Sequence, residues 1–326
     1  VTVQNSANSN IADVENCNCG TDAEVVISGN GADSKNKAKL NLGGSTIVAQ
    51  SNDSYVSNNV DADSSTGDNS AKKNTGGNVE IATGNAVTHV DLSTAVNSNW
   101  AKVSGGNHVL GDGVSLKILG NGADSSNAIK LDLGRDILLQ QYNDSEINNW
   151  VTTEAETGDN KAKSNTGGAS SIDTGNAFAG AVVDNAANFN SANVDCDCLT
   201  GVTVKVAGNG ADTYNHIKAN LGDSKNVFQD NSCSSFEWFD WGRGGCVNNH
   251  LNSDADTGDN GNKKNTANPG VDPSITTGDS WTSSEVSNSG NANVYGANTP
   301  SNGWNGNGNI NFSFSLQDLL LALGIH

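Results

Sequence analysis

Apolar and polar residues alternate most plainly in a stretch where Val48, Gln50, Asn52, Ser54, Val56, Asn58 and Val60 occupy every second position. Leu139, Gln141, Asn143, Ser145, Ile147, Asn149 and Val151 repeat that alternation further along. A period of two predicts a β-strand with one buried face. That face mixes branched aliphatics with amides, and amides in equivalent strands can stack into hydrogen-bonded ladders. Shorter strands follow between regular turn signals at Thr66-Gly67, Thr75-Gly76 and Thr83-Gly84, with Val79 and Ile81 on one face and Glu80 on the other. Thr157-Gly158, Thr166-Gly167 and Thr174-Gly175 match them. The third counterpart carries Pro269 and Pro273. Proline removes a ladder donor, so that region is expected at a sheet edge or terminal cap. No segment before residue 316 has helical periodicity.

The alternation belongs to a larger repeat. Gly-Asn-Gly-Ala-Asp occurs at Gly29–Asp33, Gly120–Asp124 and Gly208–Asp212, and Thr-Gly-Asp-Asn at Thr66–Asn69, Thr157–Asn160 and Thr257–Asn260. The period of about 90 residues predicts stacked units and an elongated body. Each block closes on a similar segment, Leu92–Asn99, Val183–Asn190 and Val286–Asn293, and the chain opens with a fourth copy, Val3–Asn10. The expected fold is all-β, with three tandem repeats forming a β-solenoid-like body; tandem β-sandwich domains are the alternative. The divisions are 1–20, a segment suited to act as a donor strand; 21–110, 111–199 and 200–300, the three repeats; and 301–326, a Gly/Asn linker with a hydrophobic tail.

Composition narrows the class. Only 34% of the 326 residues are hydrophobic and 5% aromatic, lean for thick-cored domains. The formal charge is −19, which argues against nucleic acid as a partner. The chain has no methionine and begins at Val1, as expected of a mature product whose leader has been removed. Six cysteines point to disulfides in an oxidising compartment, and no apolar run is long enough to span a bilayer. The expected location is extracellular or on the cell surface.

Several features could carry function. The opening segment, with Val1, Val3, Asn5, Asn8 and Asn10, either completes its own first block or adds to the sheet of a neighbouring subunit. In the tail, Ile310, Phe312, Phe314 and Leu316 alternate ahead of Leu319 and Leu320. So apolar a segment is expected to be buried as a cap on its own subunit or against another, or to serve as a membrane or wall anchor too short to span. Cys17 with Cys19 and Cys196 with Cys198 precede the first and third Gly-Asn-Gly turns, and they allow local bridges, compact packing or a bridge across a subunit junction. Cys233 and Cys246 bracket the extra residues of the third block, and a disulfide between them would close a loop displaying Phe236, Trp238, Phe239 and Trp241. That loop suits either a contact or glycan-binding surface or a cover over a bare edge.

Catalysis and cofactors find little support. The five histidines occupy no repeated position, and no nucleophile elbow, phosphate loop or metalloprotease motif is present. Calcium is the ion that the recurrent turn Asp residues could serve, but Asp and Asn in turns more often bond their own backbone, so no cofactor and no metal site is expected. Asn52-Asp53-Ser54, Asn143-Asp144-Ser145 and Asn311-Phe312-Ser313 fit the glycosylation sequon; the first two fall inside strands and are read as products of the repeat.

Taken with the Gln-x-Asn-x-Ser strand, the Gly-Asn-Gly-Ala-Asp, Thr-Gly-Asp-Asn and Asn-Thr-Gly-Gly turns are similar to those of the Asn/Thr/Gly-rich secreted β-repeat proteins of small uncultivated prokaryotes. The expected amide ladders also resemble those of curli-type fibre repeats, without their short period. These resemblances imply an extracellular fibre or pilus-like subunit with no catalytic residues. The resulting expectation is a non-enzymatic structural protein that polymerises with copies of itself by β-strand complementation, with disulfides as candidate cross-links. An adhesin or glycan-binding protein using the Trp-rich loop is the alternative.

Overall fold

The computed structural model describes residues 1–15, 23–104, 113–196, 202–233 and 246–296. Among them there is no helix, and the strands run in chain order as follows. The first block holds β1 (Thr2–Val14), β2 (Ala23–Ser28), β3 (Lys35–Ser65), β4 (Ser70–Lys72), β5 (Val79–Ala82) and β6 (Ala86–Ser104). The second holds β7 (Val114–Leu119), β8 (Ser126–Glu156), β9 (Lys161–Lys163), β10 (Ser170–Asp173) and β11 (Ala177–Asp195). The third holds β12 (Val202–Ala207), β13 (Tyr214–Ser232), β14 (Val247–Asp256), β15 (Gly261–Lys263), β16 (Ser274–Thr276) and β17 (Ser280–Tyr295).

Every described strand pair is parallel and, apart from β1 with β6, joins equivalent strands of different blocks, so hydrogen bonds tie the blocks together. The closing segments form one sheet in the order β1-β6-β11-β17. In its register Val3 lies beside Leu92, Leu92 beside Val183, and Val183 beside Val286. The long strands form a central sheet, with β8 between β3 on one side and β13 and β14 on the other. Three smaller sheets, β2-β7-β12, β4-β9-β15 and β5-β10-β16, complete the set. Tandem antiparallel sandwiches would instead pair strands within a block.

The long strands obey the expected alternation. Along β8, Leu139, Gln141, Asn143, Ser145, Ile147, Asn149 and Val151 are all buried, and the residues between them face outward or are half-buried. The strand extends well beyond that stretch, because odd positions stay inward from Asn127 to Ala155. Two partners share its inner face. Ile129 and Leu131 pack on Leu116 and Ile118 of β7, while Leu139 meets Val103 and Ala192 of the closing sheet. Further on, Val151 packs with Val90, Leu92 and Val183. The apolar core is therefore a chain of small clusters, and buried amides occupy the gaps between them.

Turns stack as the strands do. Asp33, Asp124 and Asp212, the last residues of the three Gly-Asn-Gly-Ala-Asp motifs, all adopt left-handed backbone (φ 57, 56 and 59°). Asp tolerates that conformation because its short polar side chain can bond locally. The two prolines of the third block lie in the turn region just before β16, the edge strand of its sheet, as the missing donors require.

Candidate assembly surfaces

The polar positions of the inner faces form ladders that cross all layers. In the central sheet Asn52 donates from Nδ2 to Asn143 Oδ1 at 3.0 Å, and Asn143 donates likewise to Asn231 at 3.0 Å. Facing them, Asn10, Asn99, Asn190 and Asn293 of the closing sheet hand on the same bond at 3.0, 2.9 and 2.9 Å. The two ladders are also cross-linked into a zigzag from Asn10 to Asn52, Asn99, Asn143, Asn190, Asn231 and Asn293. Further columns run through Asn30, Asn121 and Asn209, through Asn36, Asn127 and Asn215, and through Asn69, Asn160 and Asn260. A buried amide without a partner costs about 1–3 kcal/mol, so satisfied ladders of this kind hold the register of the layers.

These columns have a direction. In each asparagine ladder named, Nδ2 of the earlier block donates to Oδ1 of the later one. The glutamine column runs the opposite way, from Gln229 to Gln141 to Gln50, but is equally one-directional at 2.8 Å per step. Among the described residues, Oδ1 of Asn30, Asn36 and Asn69 in the first block accepts no hydrogen bond. At the far end Asn209 and Asn215 each donate one amide hydrogen, to the Ile118 carbonyl and to Thr213 Oγ1, and keep a second, whereas Asn260 donates to both the Thr257 and Gly258 carbonyls. In the Asn30 and Asn36 columns the first-block face therefore offers an acceptor where the third-block face offers a donor, and in the glutamine column the two are reversed.

The third block is also the less covered end. Val204 and Val206 are 51% and 47% exposed, whereas Leu116 and Ile118, at the same positions one layer down, are fully buried. Val286 is 44% exposed against 0% for its neighbour Val183. Where β11 buries Ala177, Ala179 and Ala181, β17 places Ser280, Thr282 and Ser284, a polar edging that suits an open layer.

Of the sequence-predicted contact residues, those of the opening segment are described. Val3, Asn5, Asn8 and Asn10 lie in β1, paired in register with β6 of the same chain, so the opening segment completes its own first layer. Val1 precedes it, and its ammonium group donates to the His89 carbonyl at 2.7 Å. Asn5 bonds Asn58 at 2.8 Å, and Asn8 bonds Asn97 at 3.2 Å. Asn8, Asn97, Asn188 and Asn291 all have positive φ (58, 59, 57 and 55°), giving four stacked kinks in the closing sheet. The alternation rule could not reveal that kink, but Asn at the matching position of all four segments was its signal. Ile310, Phe312, Phe314, Leu316, Leu319 and Leu320 lie outside the described residues.

Cys233 and Cys246 are disulfide-bonded with their Cα atoms 4.7 Å apart. The bond closes an excursion from a strand that is continuous in the other blocks, because Ser232 pairs with Asp144 and Val247 with Ile147. Phe236, Trp238, Phe239 and Trp241 lie outside the described residues. Cys196 is buried and disulfide-bonded, with Sγ 3.5 Å from the Val103 carbonyl; its bonding partner lies outside the described residues, as do Cys17, Cys19 and Cys198.

Arg135 binds Asp223 at 2.8 Å and donates to the Cys196 carbonyl at 2.6 Å, joining the central sheet to the end of β11. Asn52 and Asn143 of the first two sequons are buried in the ladder, out of reach of a glycosylating enzyme; Asn311 lies outside the described residues. Among the described residues no group of three or more His, Cys, Asp or Glu side chains is arranged to hold a metal ion, and no helix is long and apolar enough to cross a membrane. Glu156, at the end of β8, has its pKa raised by burial and then by the charges of Asp159, Asp68 and Asp256. No protein-family model, curated protein or solved structure matches the chain.

Proposed function

We propose that this chain is a structural subunit of an extracellular filament, a three-turn parallel β-solenoid that polymerises head to tail with copies of itself by β-strand complementation. The observation carrying this reading is the pair of open, complementary end faces. Each described sheet ends in free strand edges, and the amide ladders that end there have opposite polarity at the two ends. A translated copy presents every ladder in the same direction, with donors facing acceptors. A copy related by a two-fold axis would set acceptors against acceptors and antiparallel edges against each other. Head-to-tail contact of this kind is heterologous and grows into an open fibre.

The acidic charge keeps free subunits soluble, and the absence of a recognisable catalytic constellation suits a scaffold role. Export, and a lineage among the Asn/Thr/Gly-rich secreted repeat proteins, belong to the same reading. Negative-stain microscopy across a concentration series tests it. Unbranched filaments with an axial repeat of about three strand spacings, roughly 14–15 Å, are expected. Monodisperse particles at every concentration would refute it.

A further inference from the structure

One strand disturbs the continuity of such a polymer. The closing sheet has four strands, β1, β6, β11 and β17, whereas each smaller sheet has three and the central sheet has three layers. If a second copy stacked with β17 against its β1, the closing sheets would meet while every other sheet was left one strand short. That gap would be about 4.8 Å deep and would interrupt the asparagine and glutamine columns.

Removing β1 from its place resolves the mismatch. We propose that β1 is a stand-in for the β17 of a preceding copy: it covers the edge of β6 in the free subunit and is displaced when β17 arrives. This rests on the filament reading and specifies which strand is exchanged. The register makes the two strands interchangeable. Through the shared sheet, Val3 corresponds to Val286, Asn5 to Asn288, Ser6 to Ser289, Asn8 to Asn291 and Asn10 to Asn293, all identical pairs. The match includes the unusual backbone, since Asn8 and Asn291 share the left-handed kink.

The acceptors used by β1 are those that β17 needs. Asn10 donates to Asn52 and Asn99, and Asn5 to Asn58. Two layers up, Asn190 donates in the same way to Asn231 and Asn293, and Asn185 to Asn249 and Asn288. An incoming β17 thus recovers the bonds that β1 gives up. At the same time β12, β13, β14, β15 and β16 of its copy meet the open edges of β2, β3, β4 and β5. The exchange is nearly neutral in the closing sheet and favourable in the other four. In the free subunit β1 holds its site with the advantage of intramolecular concentration, which slows assembly until subunits are abundant.

The test compares a tied form, its singly capped control and a chain shortened at its start with the full chain, by light scattering and electron microscopy. Gln4 and Ser93 are register neighbours on the outer face, so Q4C and S93C joined by a short thiol-reactive linker would tie β1 to β6. The tied form is expected to elongate at least tenfold more slowly than the same variant with its added thiols capped singly. A chain lacking residues 1–14 is expected to elongate without the lag of the full chain, and a peptide of residues 1–14 should slow it again. Circular dichroism checks that both forms keep their β-structure. Tied subunits that elongate like the capped control would overturn the exchange and leave the filament reading standing. Filaments from the shortened chain alone would support the exchange. If no form makes filaments, both readings fall.

Discussion

At the scale of single residues, the molecule depends on amides more than on large apolar side chains. Asn143 is the clearest case, fully buried at the centre of the zigzag. Its Oδ1 accepts from Asn52 and Asn99, and its Nδ2 donates to Asn190, Asn231 and the Phe189 carbonyl. Asn143→Ala strands several buried donors and acceptors at once, and is expected to cost about 3 kcal/mol. Asn36→Ala, in the half-exposed first layer, removes the donor to Asn127 Oδ1 and should cost about 1 kcal/mol. Denaturant unfolding of the two variants checks the contrast, and equal effects would mean that the ladders do not hold the layers. Glu156 supplies the opposite case, a side chain whose charge the fold resists. Burial and the nearby Asp159, Asp68, Asp256 and Glu154 raise its pKa above the ordinary 4.5. A raised carboxyl pKa favours the fold below the ordinary value, and that contribution is lost as pH rises through the raised one. Glu156→Gln should therefore melt higher than the parent at pH 7 and lose that advantage below about pH 4.5, which thermal melts at the two pH values can measure.

At the scale of elements, equivalent turns lie directly on one another, and glycine is the residue that allows it. A Cβ at Gly175 would meet the Gly84 carbonyl oxygen at 2.4 Å, whereas a Cβ at Gly84 would meet nothing within 4 Å. Neither residue has positive φ, so the pair isolates stacking from backbone strain. Gly175→Ala is expected to destabilise by roughly 1–3 kcal/mol or more, and Gly84→Ala to be near neutral, as read from unfolding midpoints. Much of this architecture could be anticipated from the chain. The alternation from Val48 to Val60 identified a strand, and the matching Leu139–Val151 stretch identified its neighbour. The four closing segments proved to be neighbours in one sheet. What the alternation could not give was the direction of pairing, because period two is the same in parallel and antiparallel sheets. It also could not place the opening segment on its own chain, since the acceptor edge on β6 is the same whichever copy supplies the strand. The polarity of the ladders was likewise hidden, because an amide in a sequence has no orientation.

At the scale of the whole molecule, the glycines that pack between layers turn into a probe of what lies beyond the first one. Gly278 stands over the Gly175 carbonyl at 2.4 Å, just as Gly175 stands over Gly84, so the absent Cβ points each time toward the preceding block. Gly31 behaves in the same way. Its counterparts Gly122 and Gly210 would meet backbone atoms at 2.4 and 2.5 Å, while Gly31 itself faces open space. In an isolated subunit these first-layer positions are therefore free to accept a methyl group. In a gapless polymer they are not, because the preceding copy's Gly278 and Gly210 turns would lie where Gly84 and Gly31 lie beneath the second block. The double variant Gly31→Ala/Gly84→Ala should keep the unfolding midpoint of the parent within about 0.5 kcal/mol, since surface substitutions away from special contacts change little. The same variant should elongate at least tenfold more slowly, and it should stall parent filaments when added to their growing ends. Light scattering at matched concentration, with melting curves on the same samples, separates the two effects. Normal elongation by this variant would mean that copies meet with a layer to spare, and that β1 keeps its place in the polymer.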